Sequence, residues 1–99
     1  MSGVRVNARI ELLSSSEGGR NTAIVGSYRP NHNFGDAEGR EMMTGFLEFS
    51  EHFNPGEMRE ITFTLYGDLD QEKFVAPGRR WRIQEGPKLV GFGTILELL

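Results

Sequence analysis

The chain contains no cysteine. That removes disulfide staples, thiolate metal sites and a cysteine nucleophile together, and it makes a reducing cytoplasm the expected setting. Histidine is scarce as well: His32 and His52 lie far apart, without the HxH or HExxH spacing that sets two imidazoles on one metal. Both read as half-exposed side chains, and no metal is expected. No stretch approaches the roughly 18 uninterrupted apolar residues of a membrane span. The N-terminal MSGVRVNARIELL lacks the apolar run of a secretory signal. A soluble, unsecreted protein without a membrane partner is expected. Nucleotide motifs are missing too: neither GxxxxGK[ST] nor GxGxxG occurs, and no helix follows Glu17-Gly18-Gly19-Arg20 to hold a phosphate. Ser14 to Ser16 sit in no GxSxG elbow and read as polar loop. No catalytic constellation, cofactor or nucleotide is expected, and the chain does not read as an enzyme.

What is present suffices for one folded domain. The chain has 99 residues, 37% apolar and 25% charged, with seven Phe, two Tyr and one Trp. At this size a single core buries about two-thirds of the unfolded surface. Fourteen acidic and 11 basic residues give a net charge of −3, spread evenly along the chain. A free-standing nucleic-acid binder usually carries a basic excess, so the balance argues mildly against one.

The pattern is that of strands. Val4, Val6, Ala8, Ile10 and Leu12 alternate with Arg5, Asn7, Arg9 and Glu11, one face for a core and one for water. Ala23–Val25 and Tyr28–Phe34 read as extended, with Pro30 at an edge or bend. Met42–Phe49, Glu60–Tyr66, Trp81–Glu85 and Leu89–Leu98 complete about six strands, with no convincing helix. Asn54-Pro55-Gly56-Glu57 and Pro77-Gly78 are turn sequences, and Glu85-Gly86-Pro87-Lys88 is a tight hairpin connection. Residues Gly67–Ala76, GDLDQEKFVA, read as an acidic surface loop. Arg80 and Arg82 share one strand face, read as solvated, and Arg79 precedes it in a turn. Short strands at this spacing suggest an antiparallel barrel or sandwich.

Several motifs together resemble the third, C-terminal domain of elongation factor Tu. They are EGGRxT at Glu17–Thr22, YRP at Tyr28–Pro30, TG at Thr44-Gly45, a PGE turn at Pro55–Glu57 and IQEGPKLVGFG at Ile83–Gly93. Their order and spacing run nearly end to end. The resemblance implies an all-β, six-stranded antiparallel Greek-key β-barrel spanning residues 1–99 as a single domain, with no GTPase domain and hence no GTP hydrolysis. It implies a bacterial, translation-associated setting. The family's third domain helps to grip the tRNA T-stem backbone and touches protein partners. Carried over, the RNA- or partner-binding residues are Arg20, Asn21, Thr22, Thr44 and Gly91. Arg20 would pair with a phosphate, Thr22 and Thr44 would donate hydroxyls, and Gly91 would allow close backbone approach. Without the resemblance, Arg20 simply bonds carbonyls across its turn, and Gly91 and Gly93 mark barrel bends or bulges.

The departures tilt the reading. Asn21 stands where the family usually has histidine. Tyr66-Gly67-Asp68-Leu69-Asp70 is acidic where the family often offers a basic or imidazole side chain, and Gly35–Met43 is remodelled and acidic. Carboxylates near a phosphate backbone cost affinity. The expected function is therefore a protein-interaction module with an unidentified partner. The alternative is a weak tRNA or RNA-backbone binding module.

Overall fold

A computed structural model describes residues 2–35, 41–67 and 75–99. Among them the chain forms β1 (Ser2–Leu12), a single 3-10 turn (Ser15–Glu17), β2 (Ile24–Tyr28), β3 (Asn31–Asn33), β4 (Met42–Gly45), β5 (Leu47–Phe53), β6 (Met58–Gly67), β7 (Arg80–Glu85) and β8 (Lys88–Leu98). Six of these close an antiparallel barrel in the order β1-β6-β4-β3-β7-β8, with β8 returning to β1. β2 and β5 form a separate two-stranded antiparallel sheet. No helix among the described residues is long and apolar enough to cross a membrane.

The alternation in β1 explains the wall. Val6, Ala8, Ile10 and Leu12 are buried, while the residues between them face outward or lie half-buried. Across β6, Val6 meets Phe63 and Ala8 meets Ile61. Across β8, Ile10 meets Gly93 and Leu12 meets Gly91. The centre is aromatic. Phe34 stacks on Trp81 with ring centroids 5.0 Å apart, and His32 stacks on Phe63 at 5.5 Å. Two glycines make room for these rings: a Cβ at Gly93 would lie 2.3 Å from the Trp81 indole, and one at Gly45 would lie 2.9 Å from both His32 Nε2 and the Phe63 ring.

His32 is not half-exposed, as its sequence context suggests, but fully buried at 0%. It is tolerated because both nitrogens are satisfied. The Trp81 indole N–H donates to Nδ1 at 3.0 Å, and Nε2–H donates to the Gly45 carbonyl at 3.2 Å. His52 is exposed. Desolvation depresses the His32 pKa to about 4, only partly offset by the Gly45 carbonyl.

Three further expectations change. Met42–Phe49 is not one strand. β4 ends at Gly45, paired with Leu65 of β6, and β5 begins at Leu47, paired with Tyr28 of β2. The alternation runs through the break because Met43, Gly45, Leu47 and Phe49 all face the same core, leaving Phe46 at the corner 53% exposed. The expected strands at Ala23–Val25 and Tyr28–Phe34 become β2 and β3, split at Pro30, which has no N–H to donate to a ladder. The serine loop contains the 3-10 turn, capped where the Glu17 carboxylate accepts from the Ser14 N–H at 3.0 Å and from Ser14 Oγ at 2.8 Å. Those bonds, the backbone one foremost, hold the Glu17 pKa below its usual value.

The turns are as expected. Glu57 N–H donates to Asn54 O at 3.1 Å, and Arg79 N–H to Ala76 O at 2.9 Å. Glu85 pairs with Lys88 around Gly86, whose φ of 59° followed by Pro87 matches a type II′ hairpin. In the expected loop Gly67–Ala76, Gly67 belongs to β6 and Val75 is buried, while residues 68–74 lie outside the described residues. The same holds for residues 36–40 of the remodelled connection.

Two outcomes are expected. Folded His32 stays neutral down to about pH 4, whereas unfolded histidine takes up a proton near 6.5. Its stabilising contribution is complete above about 6.5 and declines as the pH falls toward the folded value, by on the order of 3 kcal/mol in all. Urea titrations monitored by the single tryptophan, compared with His32→Gln, should show that loss in wild type and a weaker one in the variant. Gly93→Ala should lower stability by about 1–3 kcal/mol through overpacking against Trp81, measured by the same titration.

Candidate functional site

The EGGRNT segment lies beside the end of β7. Arg20 is held by protein acceptors on each of its three nitrogens: Nε donates to the Thr22 carbonyl at 3.2 Å, Nη2 to Thr22 Oγ1 at 3.2 Å, and Nη1 to Glu85 Oε2 in an ion pair. Its guanidinium also lies over the Tyr28 ring, 5.3 Å from the centroid. Tyr28 OH donates to the same Glu85 oxygen at 2.5 Å. The last residue of β2 and the last of β7 thus converge on one arginine.

The charges settle each other. Burial alone would raise the Glu85 pKa, but the hydrogen bonds from Tyr28 and Arg20 and the charges of Arg20 and Lys88 outweigh it and hold the carboxyl below its usual value. For Tyr28, burial is the leading cause of a phenol pKa well above its ordinary value; the Glu85 hydrogen bond and charge add to it, and Arg20 offsets part. Arg20 is therefore a cation whose charge is paired with Glu85.

The other expected site residues are dispersed. Asn21 is exposed beside this cluster, and Thr22 faces the same surface, with its carbonyl and hydroxyl both accepting from Arg20. Thr44 stands on the outer side of β4, paired with Asn31 on one side and Tyr66 on the other. Gly91 is buried in β8. A Cβ there would lie 2.4 Å from the Glu11 carbonyl, so the close backbone approach at this glycine is made by the chain's own β1. It also adjoins the register shift between Ile83 and Gln84, the bulge its position suggests.

The arginines at and just before β7 are likewise engaged. Arg80 stacks on Phe92 at 3.9 Å, Arg79 donates to the Phe34 carbonyl, and Arg82 is half-buried rather than fully solvated. Among the described residues no group of three or more His, Asp or Glu is placed to hold a metal ion. Sequence reasoning names Arg20 and Thr22 but misses Glu85 and Tyr28 as their partners. Both lie within the quoted motifs YRP and IQEGPKLVGFG, yet no spacing rule joins Arg20 to a carboxylate 65 residues away. A scan of the chain against protein-family models finds no match.

The cluster has a titration signature. In a Tyr66→Phe background, the remaining phenol should ionise above about pH 10 in an ultraviolet absorbance titration. The Tyr28 contribution to stability is complete below that pH and is lost as the pH rises through the folded value. Tyr28→Phe removes a donor from Glu85, so its carboxyl should titrate at higher pH than in wild type, read by side-chain carboxyl NMR.

Proposed function

We propose that this chain is a non-catalytic protein-interaction module resembling the third domain of elongation factor Tu, with a cytoplasmic, translation-linked role. The observation that carries the reading is the commitment of Arg20. The residue that the resemblance would aim at a tRNA phosphate instead donates to Glu85 and Thr22. A phosphate approaching it would meet the Glu85 carboxylate and would have to displace an ion pair already made. With a net charge of −3, little long-range attraction compensates. Exposed apolar side chains on the outer surface, Phe46 and Met42 among them, suit contact with protein better than contact with phosphate.

Affinity capture from native extract after nuclease treatment should return one stoichiometric protein, and calorimetry with GTP should give no heat of binding. Filter binding of tRNA separates the alternative. Wild type should bind weakly or not at all at low salt, and Glu85→Gln should bind better because it releases Arg20. A salt-sensitive wild-type affinity abolished by Arg20→Ala would make the RNA-backbone reading the correct one.

A further inference from the structure

Among the described residues, the closed barrel leaves much of one edge of β6 unpaired. β1 pairs along β6 from Met58 to Gly67, but on the opposite edge β4 reaches only Leu65 and Tyr66. Below that point, among the described residues, no strand lies along this edge of β6. β5 has turned away to pair with β2, and among the described residues no strand pairs with its second edge. Where β5 and β6 join, Arg59 fills the gap, donating to the carbonyls of Glu51 (3.2 Å) and His52 with its guanidinium over the Phe53 ring. Beyond Arg59 the two strands bound an open groove of about 260 Å³.

The form of the groove selects an occupant. Successive residues of β6, Thr62 and Phe63 among them, line it although their side chains point to opposite faces. With Arg5 reaching over from β1 on the other side of β6, it takes in both the free edge of β6, where backbone donors and acceptors are presented, and the adjoining outer face. Its rim carries Phe46 and Tyr66, 53% and 37% exposed. Arg5 lines it, and Arg29 lies over the Phe46 ring at 5.5 Å. Neither arginine has a carboxylate partner among the described residues; the Arg5 contact is with Thr64 Oγ1 at 3.4 Å. The carboxylate in the lining, Glu48, accepts from Ser27 Oγ at 2.6 Å on the β5 side.

We infer that the groove docks an extended segment of a protein partner, which adds as a strand to the free edge of β6. It places an apolar side chain against Phe46 and Tyr66 and acidic side chains toward Arg5 and Arg29. This rests on the interaction-module reading and gives it a place and a chemistry.

The probe is a phage-displayed random dodecapeptide library panned on the full chain. Enriched peptides should carry an apolar residue flanked by Asp or Glu. A synthetic copy should lose about tenfold in affinity with Phe46→Ala, as expected for an anchoring aromatic. It should lose a similar amount with Arg5→Gln combined with Arg29→Gln, and nothing with Arg20→Ala. Phe46 and Arg5 are exposed, so these variants leave the core untouched. Bound peptide should slow hydrogen exchange at those amides of residues 61–64 that face the free edge. No enrichment over an uncoated surface, or enriched peptides that bind Phe46→Ala equally well, overturns the groove. A stoichiometric partner from native extract would then still stand for the broader reading. Concentration-dependent dimerisation lost in Phe46→Ala would make a second copy the occupant, and tRNA competing for the groove would make it an RNA surface; either overturns the inference.

Discussion

A hydrogen-bond relay through the barrel interior ties together its three shortest strands. Trp81 of β7 donates to His32 of β3, and His32 donates to the Gly45 carbonyl of β4. β3 is only three residues long, yet it is the link between β4 and β7. So short a strand has few ladder bonds with which to hold two neighbours. The imidazole adds a second connection through the core, where low polarity strengthens each bond and makes an unpaired group costly. Phe34 and Phe63 close around the same two rings. The glycines opposite them belong to the same constraint: a Cβ at Gly93 would run into the Trp81 indole, and one at Gly45 into the His32 imidazole.

How much of this was legible depends on the range of the interaction. β1, β6 and β8 were readable because alternation is local and both neighbours of each strand lie in one wall. The Gly86-Pro87 hairpin was readable because its turn needs particular residues at particular places. The break at Phe46 was not, because a strand that changes sheets over a shared core keeps its hydrophobic period. The burial of His32 was hidden for a different reason. Its acceptability depends on an indole 49 residues away and on the absence of a side chain at Gly45, neither of which is visible near position 32.

The candidate site shows the same limit. Arg20 was identifiable as a residue with something to bind, and the simplest expectation, that it bonds a carbonyl across its own turn, is met at Thr22. That it also meets Glu85 follows from topology, which brings the ends of β2 and β7 beside the first connection. An arginine read in isolation is a free cation; with its carboxylate and phenol it becomes a structural tie between a turn and the barrel rim.

Closure of the ring has its own consequence for the two ends of the described chain. β1 and β8 are adjacent staves, paired from Val6 with Leu98 to Leu12 with Gly91, and Leu99 N–H donates to the Arg5 carbonyl at 2.9 Å. Trimming either stave would not yield a smaller barrel. It would open the cylinder into a curved sheet with two raw edges, exposing the aromatic interior to water along the whole seam.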